Sequence, residues 1–211
     1  MRASLSLAFS GTSADPSLLD LYARFSLLLL EENRKVNLTA IQDAAEVAVK
    51  HFLDSWKVLD FLELKGKRVV DLGTGAGFPG LPLAAAVPEA SIVLLDSTRK
   101  KADFIARTIS GLGLGNARAE WGRAEEFLQR ERFDLALARA WGNLAGLLRL
   151  LKSVKRSFSL LACMKGPRWK EEMQEAGREG LARAFPLETV HEYELPFGAG
   201  RRAILVFRGS R

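Results

Sequence analysis

The sequence predicts an α/β protein in which an all-helical preface, residues 1–65, leads into a seven-stranded, mostly parallel sheet built by residues 66–211. Three observations carry that expectation. Before Gly66 apolar residues recur at helical spacing. From Lys67 onward, short apolar runs alternate with helix-compatible runs, the pattern of strands joined by helical crossovers. The first such run, Arg68 to Leu72, breaks abruptly into Gly73-Thr74-Gly75-Ala76-Gly77-Phe78-Pro79-Gly80, and a helical run follows at once. Strand, glycine turn, helix is how an open sheet brings backbone N–H groups to a ligand beyond its strand ends.

Taken in order, residues 1 to 14 are small and polar after the first few and are expected to fray. Leu5 to Phe9 is too short, and its start too weakly basic, for a signal peptide. Asp15-Pro16 reads as an N-cap with proline at the first helical position. Leu18, Leu19, Tyr22, Phe25, Ser26 and Leu29 then carry an amphipathic helix to Glu32. Arg34, Lys35, Asn37 and Thr39 form a polar break, and Asp43 opens a second helix that carries on or restarts through His51 to Phe61. Strands are expected at 68–72, 91–95, 116–120, 133–138 and 158–164, with helices at 79–87, 99–112, 123–130 and 142–152 between them. A charged helix over 168–184 and two extended segments, 186–195 and 202–208, close the chain, with Gly198 and Gly200 in a hairpin loop. One antiparallel strand is expected near the end of the sheet.

At 211 residues the chain suits one domain with an extension. No apolar run approaches the roughly 20 residues needed to span a bilayer. The single cysteine, Cys163, excludes an intrachain disulfide and a cysteine-based zinc cage, and its place within Leu160 to Met164 suits a buried, inert thiol. Cytoplasmic residence follows by default. Lys and Arg number 31 against 25 acidic residues, a net charge of +6, which suits a polyanionic partner, nucleic acid first.

The glycine turn alone fits the dinucleotide pattern G-x-G-x-x-G at Gly75 to Gly80. Asp71 separates the readings. A carboxylate at the strand tip would repel a pyrophosphate, whereas S-adenosylmethionine brings a sulfonium and an ammonium. Two unit charges about 4 Å apart at an effective dielectric near 20 interact by roughly 4 kcal/mol before desolvation. The sign favours the methyl donor, with Asp71, Gly73, Thr74, Gly75 and Gly77 as its turn. The next strand ends in Asp96, which suits a ribose diol and so supports either adenosine cofactor.

His51, Asp54 and Ser55 share one helical face, as a base with its orienting acid or as a structural hydrogen-bonded pair. His191 looks structural. Arg123-Ala124-Glu125-Glu126 starts a helix, where the acids complement the helix dipole and backbone groups could read a purine edge. Arg139 follows the fourth strand, facing the reactive part of a ligand, and is a fixed planar cation suited to a carboxylate, a phosphate or a guanine edge. The Asp/Asn-Pro-Pro-aromatic tetrad of adenine amino-methylating enzymes is absent from this place. Arg99, Lys100 and Lys101 open a helix at its unfavourable end for cations, which points to an outside anion. Lys165, Arg168, Arg201 and Arg202 could join the same basic rim.

Asn37-Leu38-Thr39, Lys50-His51-Phe52-Leu53-Asp54-Ser55, the run Asp71 to Leu83, Leu95-Asp96-Ser97 with Lys100 to Phe104, Arg123 to Phe127, Arg139-Ala140 and Lys165-Gly166 occur in order. In these the chain resembles the bacterial RsmG (GidB, glucose-inhibited division protein B) family from about residue 18 to 208. The resemblance implies a Rossmann-like class I S-adenosylmethionine-dependent methyltransferase fold and methyl transfer to guanine N7 of small-subunit (16S) ribosomal RNA. It implies cofactor contacts at Gly73, Phe78, Asp96, Ser97, Thr98, Ala124, Glu125 and Arg139. Ala138 stands where the family usually has Ser, and Arg202 where it has Arg-His. No general base is required, so no catalytic residue is assigned beyond Arg139 positioning cofactor and base, and no metal is expected. The RNA-facing set is His51, Arg99, Lys100, Lys101, Arg123, Lys165, Arg168 and Arg201. The expected partner is small-subunit RNA, alone, in an assembly intermediate or in the 30S subunit, with the enzyme a monomer away from membranes. A non-catalytic RNA-binding protein of the same fold and a nicotinamide dehydrogenase are the alternatives; Asp71 argues against the second.

Overall fold

The computed structural model describes residues 1–209, so the last two residues of the expected 66–211 unit lie outside the described residues. Its sheet comprises β1 (Arg68–Leu72), β2 (Ser91–Asp96), β3 (Ala117–Trp121), β4 (Phe133–Arg139), β5 (Phe158–Lys165), β6 (Leu187–Leu195) and β7 (Gly200–Arg208). The spatial order is β3-β2-β1-β4-β5-β7-β6. β1 to β5 pair in parallel, and β7 runs antiparallel to both β5 and β6, the expected reversed strand. Central parallel strands are covered on both faces and so read as continuous apolar runs; Val69, Val70 and Ile92 to Leu95 are all buried. The order reverses between β1 and β4, which places a ligand crevice at the carboxyl ends of those two strands.

Ten α-helices accompany the sheet among the described residues: α1 (Arg2–Ala8), α2 (Pro16–Asn33), α3 (Ala44–Val47), α4 (Asp54–Trp56), α5 (Gly80–Ala86), α6 (Arg99–Leu112), α7 (Ala124–Phe127), α8 (Leu144–Leu151), α9 (Trp169–Arg178) and α10 (Leu181–Ala184). Asp15 caps α2 by accepting from the Ser17 N–H, with Pro16 at the first position. Asp43 caps α3, and the chain stays helical to Asp60, including a π-helical stretch at Ala48–Leu53.

Three expectations need correction. Residues 2–8 form a helix instead of fraying, because Leu5, Ala8 and Phe9 make a short apolar stripe that is buried. Phe9 sits 5.7 Å from the rings of both Tyr22 and Trp56, and Arg2 pairs with Asp20. The charged helix over 168–184 breaks in two at Gly180, whose φ of +70° cannot continue a right-handed helix. The helix expected over 123–130 is only the single turn α7.

The preface shapes the back of the crevice. Tyr22 donates its hydroxyl to the Pro82 carbonyl at 2.8 Å, and burial raises its pKa. Phe25 and Phe52 pack on the Phe78 ring, with centroids 5.1 and 5.2 Å away. The glycine turn therefore rests on an aromatic bed supplied by α2 and the π-helical stretch. Among the described residues no helix is long and apolar enough to cross a membrane.

Candidate active site

Asp71, at the tip of β1, is wholly buried. Its Oδ2 accepts from Thr74 Oγ1 at 2.6 Å and from the Gly80 N–H at 2.8 Å, while Oδ1 has no partner among the described residues. Burial raises the carboxyl from 3.8 to about 6, against the pull of those two donors. Gly73, Gly75 and Gly77 have φ of +64°, +60° and +97°, a region in which other residues are strained. Asp96, at the tip of β2, accepts from the Gly75 N–H at 2.9 Å and the Thr98 N–H at 2.8 Å, so it braces the turn from the neighbouring strand. Ser97 and Thr98 are exposed just beyond it, Ala124 is buried and Glu125 half-buried at the start of α7. The Ser97 carbonyl accepts from Trp121 Nε1 at 3.1 Å, linking the β2 and β3 tips.

These groups test what could lie here. A buried carboxylate oxygen without a partner, a second carboxylate on the adjacent strand tip and a glycine-rich turn suit a cationic nucleoside. They do not suit a pyrophosphate. Phe78 contributes differently: its ring is buried among Phe25, Phe52, His51 and the Arg139 guanidinium, which lies 5.2 Å from its centroid.

Arg139, at the tip of β4, is the hub of a second network. Its Nη1 donates to the Lys50 carbonyl at 3.0 Å and to Asp54 Oδ2 at 3.3 Å, and Nη2 meets His51 Nδ1 at 3.2 Å. Tyr193, from β6, donates to Asp54 Oδ1 at 2.8 Å. A guanidinium only donates, so His51 Nδ1 must accept, which leaves the proton on Nε2 to face Thr39 Oγ1 at 2.8 Å. Burial, then the Arg139 charge, lowers the His51 pKa to about 3, so the ring is neutral and a poor proton acceptor. Asp54 serves Arg139 and Tyr193 instead of orienting His51, which turns the helical His–Asp pair into a clamp on the arginine. His191 stacks on Phe61 at 4.5 Å, away from this network. Cys163 is buried, its thiol pushed up to about 12.

The basic residues divide. Arg99 is exposed with its guanidinium 4.9 Å from the Trp121 ring, beside exposed Lys100 and half-buried Lys101. Arg123, Arg168 and Arg201 are exposed. Lys165 leaves the open rim: it is buried, 2.8 Å from Glu172 and 3.3 Å from the Gly142 carbonyl. Four strand spacings separate β2 from β7, roughly 19 Å, so Lys100 and Arg201 mark two ends of one edge rather than one cluster. A recess of about 320 Å³ opens beside Arg139, lined also by Lys50, Lys165, Glu172 and Arg202. Sequence reasoning missed Tyr193, Glu172 and Trp141. Tyr193 and Glu172 belong to no local motif, Tyr193 reaching Asp54 across 139 residues, while Trp141 stands in the run Ala138-Arg139-Ala140-Trp141 after the fourth strand without a role of its own in that reading.

A family model described as rRNA small subunit methyltransferase G (GidB) matches residues 18–205. A Carboxydothermus hydrogenoformans protein named ribosomal RNA small subunit methyltransferase G is 38% identical over 216 residues, covering 99% of this chain and 91% of the relative. A Solibacter usitatus protein of the same name is 39% identical over 189 residues, 88% of each chain. Among solved structures, an S-adenosylmethionine-dependent O-methyltransferase from Thermotoga maritima aligns with TM-score 0.60 at 15% identity, over 87% of this chain and 72% of the other. TrmN from Thermus thermophilus aligns with TM-score 0.56 at 20% identity, over 74% of this chain and 48% of the other. At such identities the structures speak for the fold alone.

Proposed function

The chain belongs to the rRNA small subunit methyltransferase G (GidB) family, and from that premise we propose how its crevice divides the work of methylating guanine N7 in small-subunit ribosomal RNA. The β1–β2 tips hold S-adenosylmethionine, through the Gly73–Gly77 turn, Asp96 to Thr98 and the start of α7. The β4 tip presents the base. The observation that carries the reading is the pair of buried carboxylates on adjacent strand tips, one with an oxygen left unpartnered inside the fold. When bound, the cofactor supplies a methyl group activated by a positive sulfur.

Guanine N7 has a free lone pair and no proton, so the protein needs to hold, not to deprotonate. The site agrees: His51 is a neutral, very weak base and Cys163 an inert thiol. Proximity and orientation supply up to about 7–11 kcal/mol in well-aligned reactions. Arg139 serves that alignment, because Lys50, His51 and Asp54 fix its guanidinium in place. Arg99, Lys100, Lys101, Arg123, Arg168 and Arg201 meet the RNA backbone along the edge. The substrate is small-subunit RNA, bare or in an assembling or complete subunit, and the enzyme works in the cytoplasm as a monomer.

The test is to incubate the protein with methyl-labelled S-adenosylmethionine and small-subunit RNA, then cleave the RNA chemically at N7-methylguanine. A protein-dependent cleavage site is expected. Label in the RNA without such a site would move the target to another atom, and no donor binding at all would favour the non-catalytic RNA-binding alternative.

A further inference from the structure

Trp141 lies on the loop between β4 and α8, two residues beyond Arg139, and its indole bridges the crevice between β4 and β1. A Cβ on Gly73 would lie 2.7 Å from both Cε3 and Cζ3 of that ring. The loop holds it there. Ala140 has a φ of +52°, rare for a residue with a side chain, and Gly142 one of +33°. The Gly142 carbonyl accepts from Lys165 Nζ, the Leu144 N–H donates to Glu172 at 2.8 Å, and Asn143 caps α8 by accepting from the Gly146 N–H at 2.7 Å. The other tryptophans are engaged: Trp56 against Phe9, Trp121 with Ser97 and Arg99, Trp169 with Glu192. Among the described residues the half-buried Trp141 ring has neither a ring partner nor a hydrogen bond.

Its neighbours Ala140 and Gly142 line the recess beside Arg139, with Lys50, Lys165 and Arg202. The indole itself lies against the glycine turn and the apolar cluster beside it, at the margin of that recess, where Asp54 and Glu172 offset the charges of Arg139 and Lys165. We propose that Trp141 is a base-stacking residue, taking one face of the purine that receives the methyl group; this rests on the guanine-N7 reading of the site. In that reaction the N7 lone pair forms the new N–C bond as the S–C bond of the donor breaks. Sulfur leaves as a neutral thioether and the purine becomes cationic. Indole is the strongest aromatic partner for a cation, so the stacking strengthens as charge arrives on the base. An interaction that grows toward the transition state raises turnover rather than mere binding.

The experiment compares Trp141→Leu and Trp141→Phe in single-turnover transfer to small-subunit RNA at saturating donor, with S-adenosylmethionine affinity measured by calorimetry. Leucine keeps the bulk and removes the π face; it is expected to slow transfer about thirtyfold, equivalent to about 2 kcal/mol, with donor affinity held within about twofold. Phenylalanine should recover transfer to within about threefold of the native rate. RNA should quench the native tryptophan emission, and most of that quench should vanish in Trp141→Phe. Normal transfer in Trp141→Leu with an unchanged quench would overturn the proposal. So would a loss lying wholly in donor affinity, which would make Trp141 a wall of the cofactor site. A native protein that binds donor but methylates no guanine would fail the function itself, and the stacking claim with it.

Discussion

The two halves of the crevice are built by different means. At the β1–β2 tips, Asp71 binds Thr74 and Gly80, and Asp96 binds Thr98 and Gly75, largely through backbone N–H groups. At the β4–β5 tips the contacts join side chains far apart in sequence: Arg139 reaches Lys50, His51 and Asp54 across 85 to 89 residues. Tyr193 then ties the C-terminal hairpin to the same Asp54. The end proposed to hold the donor is one glycine turn braced by two strand tips, mostly through its backbone. The end proposed to present the base exists only when the preface, the sheet and the hairpin have docked. Damage to the second should therefore spare cofactor binding, while damage to the first should leave the second folded.

The largest effect should come from breaking the acceptor hub. Arg139→Ala leaves the Asp54 carboxylate buried without its cation, so a loss of about 3–5 kcal/mol in urea unfolding is expected, together with loss of methyl transfer. An unchanged urea midpoint would show that the hub contributes nothing to stability. Arg139→Lys keeps the charge but not the planar fork, and should fall between. Asp96→Ala should weaken S-adenosylmethionine by about 1.5–3 kcal/mol in calorimetry, with RNA affinity nearly native; an equal loss for RNA would place the carboxylate outside the cofactor site.

A pH series sharpens the contrast further. Asp71 titrates at about 6 in the fold, and a cationic ligand favours its ionised form. Donor affinity should fall below pH 6, approaching tenfold per unit, and level off above 7. For stability the two ends run oppositely. The folded Asp71 keeps a proton that the unfolded chain releases, so its contribution is greatest below 3.8 and lost as pH rises through 6. His51, lowered from 6.5 to about 3, contributes above 6.5 and loses that as pH falls toward 3. Urea midpoints between pH 4 and 7 should become less acid-sensitive in His51→Gln and more so in Asp71→Asn. The smallest effect concerns the edge: replacing Lys100 and Lys101 with Ala should flatten the slope of log RNA affinity against log salt by one to two contacts, each about 0.7. A slope left unchanged would remove α6 from the RNA surface.

This asymmetry also decides what could be read in advance. The sheet, the glycine turn, Asp71 and Asp96 were legible because each strand and the residue at its tip carry their own local pattern, although Asp96 meets Gly75 across 21 residues. Arg139 was legible as a fixed cation at a strand end, but not its partners. Lys165 looked like rim charge because nothing beside it in sequence shows Glu172 folding back on it. Gly73 is legible as part of the cofactor turn, but nothing beside it in sequence shows that Trp141, from the loop after β4, covers it. α1 escaped notice because three apolar residues carry its burial, too few to stand out from a polar terminus.

The division of labour between the two ends is tested most directly by single-turnover methyl transfer across a range of S-adenosylmethionine concentrations, comparing Asp96→Ala with Arg139→Lys. If the β2 tip holds the donor and the β4 tip aligns the base, saturating donor should restore Asp96→Ala nearly to the native rate. Arg139→Lys should stay slow, about a hundredfold or more below native, at every concentration. Recovery of Arg139→Lys by excess donor, or failure of Asp96→Ala to recover, would contradict that division.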